Sequence, residues 1–75
     1  MATTDVVAEL VGTIYSVDVA TGAVVAVGDP IVVLESMKME IPILAEVPGT
    51  VREVFVAKGD NVMEGDVLAV IEEQT

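Results

Sequence analysis

The chain has 75 residues, 53% of them hydrophobic, with three basic side chains against thirteen acidic ones and a formal net charge of −10 at pH 7. It contains no Cys and no His, so disulfides, thiolate or histidine zinc sites and His-dependent hydrolase triads are excluded on inventory. Nucleic-acid and anionic-membrane binding both need basic patches, and the acidity is read instead as solubility and low self-association.

The length suits one domain, residues 1–75, whose small core must bury most of its Val, Ile and Leu. Aromatics are limited to one Tyr and one Phe, and a valine-rich core suits thin, tightly curved β-structure. No run has the alternating acids of a calcium loop, although single carboxylates leave a bound cation open. No apolar stretch approaches a membrane span. Met1-Ala2-Thr3-Thr4-Asp5 lacks the basic start and apolar run of a signal peptide, so the expectation is a cytoplasmic protein, monomeric in isolation.

In chain order, the first half predicts strands over Asp5–Leu10, Thr13–Val19, Val24–Val27 and Ile31–Ser36. Ile31-Val32-Val33-Leu34 is a continuous apolar run, as in a strand buried on both faces. The second half predicts strands over Met39–Leu44, Thr50–Val56, Asn61–Met63 and Val67–Glu72. Alternation over Thr50–Val56 is only partial, and Ala57–Gly65 carries turn residues too densely for a helix. Pro30 and Pro42 belong near strand ends or on an edge, where the missing N–H is tolerated.

The two halves match without a gap at an offset of 37 residues. Ala8-Glu9 falls on Ala45-Glu46, Gly12-Thr13 on Gly49-Thr50, Gly22 on Gly59, Gly28-Asp29 on Gly65-Asp66, and Glu35 on Glu72. The glycines carry most of the information, because they mark turns with positive φ or places of close backbone approach. The expected fold is all-β: a flattened, eight-stranded barrel-sandwich hybrid of two four-stranded halves related by a pseudo-two-fold axis. The hairpin joining the halves then has the two chain ends as its counterpart, and hairpin and ends should lie at opposite poles.

That central hairpin reads Glu35-Ser36-Met37-Lys38-Met39-Glu40, and Lys38 is one of two lysines in the chain. A tight hairpin favours Asn-Gly or Asp-Gly, since both central residues need positive φ. Met37 and Lys38 adopt that conformation only at a cost of about 1–3 kcal/mol. Gly-Asp stands at three other turns, so this one breaks a local rule, as functional sites do. The plain alternative is a looser hairpin with an ordinary solvated edge lysine. Met37 and Met39 either belong to the core or form an adaptable apolar patch around the lysine.

The segment Glu35–Glu40 resembles the attachment motif of biotinyl domains, in which Ala or Ser is followed by Met-Lys-Met. Pro42, Ala45-Glu46, Gly49-Thr50-Val51, Gly59-Asp60 and Gly65-Asp66-Val67-Leu68 also fit, so the resemblance covers essentially the whole chain. It implies a biotin carboxyl carrier, a small biotin/lipoyl attachment protein without catalytic activity of its own. A biotin protein ligase would join biotin to Lys38: the deprotonated ε-amine attacks an acyl-adenylate and forms an amide. The arm would then carry CO₂ between biotin carboxylase and carboxyltransferase partners, the cofactor supplying the chemistry and the protein its presentation. The resemblance gives Met37 and Met39 to ligase recognition and arm presentation, and Glu35 and Glu40 to ligase contact. Lys58, aligned with Thr21, is expected to stay unmodified.

Two departures from the family stand out. The gapless repeat leaves no room for the inserted "thumb" that some relatives place against biotin, and no long Ala/Pro-rich N-terminal region precedes the first strand. A lipoyl carrier, which shows Asp-Lys-Ala at the tip more often than Met-Lys-Met, is one rival. An unmodified acidic module that binds a basic partner is another. The chain does not name the carboxylase or the substrate it would serve.

Overall fold

Short β-branched segments punctuated by glycine turns give eight strands in the computed structural model, which describes residues 2–74. These are β1 (Thr3–Val7), β2 (Gly12–Val17), β3 (Val24–Val25), β4 (Pro30–Ser36), β5 (Met39–Leu44), β6 (Gly49–Val54), β7 (Asn61–Val62) and β8 (Val67–Glu73). They form two antiparallel four-stranded sheets, β1-β8-β6-β3 and β5-β4-β2-β7, and no helix is present among the described residues.

Adding 37 to the residue numbers turns β2–β4 into β6–β8 and β1 into β5 but for the first residue of β5, Met39, and converts the first sheet order into the second. The pseudo-two-fold therefore exchanges the sheets. Each sheet takes two strands from each half, so the halves interlock. The core repeats as well: Ile14, Ile31 and Leu34 are fully buried, and so are their counterparts Val51, Leu68 and Ile71. Each such side chain contributes about 1.5–3 kcal/mol by leaving water.

The expected strand over Met39–Leu44 is found as such, whereas the first strand ends three residues early, at Val7. Beyond it Ala8 leaves the ladder for a loop: its amide donates to the Asp66 carbonyl at 2.9 Å and its carbonyl accepts from the Gly65 amide at 2.8 Å. The strands expected over Val24–Val27 and Asn61–Met63 stop at Val25 and Val62, because Ala26 and Met63 already open turns. Partial alternation in β6 has a physical source. The β6·β8 register skips Arg52, between Val51 and Glu53, and the β2·β4 register skips its counterpart Tyr15, between Ile14 and Ser16. One bulged residue shifts every later side chain to the other face. Pro42 lies on β5, an edge strand, as its missing N–H requires.

Candidate functional site

The β4·β5 ladder runs through Leu34↔Ile41, Glu35↔Glu40 and Ser36↔Met39, so only Met37 and Lys38 remain to reverse the chain. Both have positive φ, 51° and 64°, as a two-residue turn demands, and they are the positive-φ non-glycine residues among the described residues. The tight turn, not the looser alternative, is therefore what forms. Met37 is 89% exposed and Met39 59%, which removes both from the core. Lys38 is exposed between them.

Glu35 and Glu40 face each other directly across the two strands and are both exposed. Like charges in that arrangement repel. Among the described residues the ion pair is Arg52–Glu72 at 3.5 Å, so Lys38, Glu35 and Glu40 lie outside any salt bridge there. The amine thus stands at a strained, projecting tip with two thioether side chains and two unneutralised carboxylates around its base. Lys58 occupies a different setting. It follows Ala57 in a turn closed by the Asp60 amide donating to the Ala57 carbonyl at 3.0 Å, where Gly59 supplies the positive φ of 94°.

The site is a projection. A groove of about 300 Å³ lies elsewhere, between the edge strands β1 and β5, lined by Val7, Leu10, Ile43 and Leu44 and not by the turn residues. No group of three Asp or Glu is placed to hold a metal ion among the described residues. Such an arrangement can offer one primary amine for covalent modification by an enzyme that engages the whole hairpin, but it encloses no space for a small substrate.

Gly12 and Gly49 play a different part from the other glycines. Their φ angles are not positive, unlike those of Gly22, Gly28, Gly59 and Gly65, which lie between 91° and 94°. They serve close approach: a Cβ at Gly12 would stand 2.6 Å from the Glu35 carbonyl oxygen, and one at Gly49 would collide with the Glu72 carbonyl. The signal was present, since these two glycines precede Thr and three of the four turn glycines precede Asp.

The family model described as "Biotin-requiring enzyme" matches residues 3–71. Among curated proteins, the biotinylated protein TB7.3 homolog of Mycobacterium leprae (strain TN) is 52% identical over 40 residues, which are 53% of this chain and 56% of that protein. The chain thus aligns with little more than half of that relative's length. Among solved structures, the urea carboxylase of Kluyveromyces lactis superimposes with a TM-score of 0.90 at 30% identity, over 96% of this chain and 6% of that one. A single-chain, multi-domain long-chain acyl-CoA carboxylase gives a TM-score of 0.90 at 34% identity, over 97% of this chain and 7% of that one.

Proposed function

Because the chain belongs to the biotin-requiring enzyme family, whose model spans residues 3–71, we propose that it is a biotin carboxyl carrier with Lys38 as the attachment residue. The observation that carries the assignment is the two-residue turn, which holds a lysine at positive φ at the tip of the hairpin between two exposed methionines. A turn that needed only to reverse the chain would use glycine or asparagine. The likeness to two carboxylases supports a carboxylase as the partner.

The residues present fit such a group. Lys38 has an accessible ε-amine that no salt bridge engages among the described residues. In a ligase complex the Lys38 ammonium would lose its proton and present the free amine to the activated carboxyl of biotin, so that an amide would form with release of AMP. Met37 and Met39 give the ligase a deformable apolar surface on either side of that amine. Glu35 and Glu40 offer carboxylates to basic side chains of the ligase. Once attached, biotin supplies a ureido nitrogen that carries CO₂. The hairpin's part is to project the arm clear of the body, so that one tether serves a biotin carboxylase and a carboxyltransferase in turn at high effective concentration. Beyond supplying that amine, the chain carries out no catalytic step in this scheme.

The test is intact mass after incubation with a biotin protein ligase, ATP and excess biotin, for the wild type, Lys38→Arg and Lys58→Arg. One biotinyl addition is expected in the wild type and in Lys58→Arg, and none in Lys38→Arg. An unmodified wild type would remove the proposal. Repeating the incubation with a lipoate ligase would then separate a lipoyl carrier from an unmodified acidic module.

A further inference from the structure

The strained turn needs something to keep it closed, and the pseudo-two-fold shows what does. At the hairpin pole the last rung of the ladder joins Ser36 to Met39. At the chain ends the counterpart rung is the Glu73 amide donating to the Ala2 carbonyl at 2.9 Å. No turn links those two residues, which lie at opposite ends of the sequence, yet the rung forms. The turn is therefore not what creates the rung. The register comes from the sheet beneath, and Met37 and Lys38 are forced to bridge it at φ 51° and 64°.

Beneath each final rung sits a contact glycine. Gly12 of β2 lies against β4, where a Cβ would stand 2.6 Å from the Glu35 carbonyl oxygen and 2.9 Å from the Leu34 Cγ and Cδ1 atoms. Gly49 of β6 lies in the same way against the Glu72 backbone of β8. Space, not φ, requires glycine at both positions. Of the two, only Gly12 touches a strand that runs into the turn: Glu35 is followed by Ser36 and then by Met37.

We propose that Gly12 is a positioning residue for Lys38: by letting β2 close onto the Glu35 carbonyl, it fixes the end of β4 and holds the Met37-Lys38 turn in its strained form for the modifying enzyme. The inference rests on the carrier reading of Lys38. A side chain at position 12 pushes the Glu35 carbonyl outward. The two-residue connection has no slack to absorb that shift, and the turn relaxes into a looser loop that releases its strain. The amine stays attached but loses its fixed place relative to Met37 and Met39. A displacement of about 1 Å in a reacting group costs up to about a hundredfold in rate.

The duplication provides a matched control. Gly12→Ala and Gly49→Ala introduce the same methyl at equivalent contacts, one under the hairpin and one under the chain ends. Both should lower the thermal midpoint. Only Gly12→Ala should change the Lys38 and Met37 Cα chemical shifts, which report φ, and only it should lower kcat/KM for biotin ligase at Lys38, by about tenfold or more, measured on folded protein at low temperature. A second variant does not depend on tolerance of the methyl. One glycine inserted between Ser36 and Met37 keeps the Gly12 contact but gives the turn slack, and it should lower kcat/KM comparably. Modification of Gly12→Ala at the wild-type rate, an equal loss in Gly49→Ala, or full activity of the insertion variant would each overturn the inference. A wild type that no biotin ligase modifies would instead overturn the underlying carrier reading.

Discussion

Met37 and Lys38 hold backbone conformations that cost an L-residue about 1–2 kcal/mol each, a cost Asn largely avoids. Met37 is 89% exposed, so its side chain gives back almost no packing in return. Met37→Asn should therefore stabilise the fold. A gain of about 1 kcal/mol raises Tm by about 4–8 °C in a domain of this size. Circular dichroism melts measure it directly. An unchanged or lower Tm would mean that the turn bears no net strain. The choice of Met at this position then reads as one made for recognition at some expense of stability, which is how local rules come to be broken at functional sites.

At the scale of elements, the strands are held at their ends by a repeated turn. The Asp29, Asp60 and Asp66 carboxylates each accept the amide of the residue three positions earlier, Ala26, Ala57 and Met63, at 2.8 Å. In each case the intervening glycine takes the positive φ of a type II turn. The fourth turn, Ala20–Ala23, has alanine where the others have Asp and keeps only its backbone bond of 3.0 Å. Asp60→Ala should reduce that turn to the same state. Because the site is exposed, the loss should lie near the low end of the range for a hydrogen bond to a charged group, about 1.5 kcal/mol. Urea titration of Asp60→Ala beside the wild type reads this as a lower midpoint. No change would show that the Asp side chain is dispensable and that glycine alone makes the turn.

These turns also explain what was legible in the sequence. Gly-Asp spacing and the 37-residue offset revealed the repeat, the eight strands and the lysine at their centre, because turn chemistry is local. The bulges at Tyr15 and Arg52 left no such mark. Nothing in Ile14-Tyr15-Ser16 or Val51-Arg52-Glu53 distinguishes an extra residue from an ordinary one; the skip is imposed by the partner strand. The end of β1 was misplaced for the same reason, since Ala8 is drawn off by the distant backbone of residues 65 and 66. The exposure of Met37 and Met39 was open in the sequence, as a methionine near a strand suits core and surface alike.

At the scale of the whole molecule, charge and shape oppose each other. Thirteen acidic and three basic side chains share a body of 38 × 18 × 17 Å. Attraction contributes little: the Arg52–Glu72 pair is 3.5 Å long and more than half of the Arg52 side chain is exposed, and such pairs are worth about 0–1 kcal/mol. Repulsion among the carboxylates is the larger electrostatic effect, and folding brings them closer together than in the open chain. The Debye length falls from about 30 Å at 0.01 M salt to about 8 Å at 0.15 M. At low salt, charges across most of the 38 Å axis therefore feel one another, whereas at physiological salt only near neighbours do. The urea midpoint should accordingly rise as NaCl is raised between those concentrations, with the m-value unchanged. A falling midpoint would show that attractive pairs dominate. Glu35 and Glu40 make this balance part of the site as well, because they face each other without a cation and a partner's basic side chain would relieve their repulsion. If the carrier reading holds, the surplus of negative charge that weakens the isolated fold also speeds its encounter with a basic ligase surface. Salt should then slow modification of Lys38 over the same range in which it stabilises the chain.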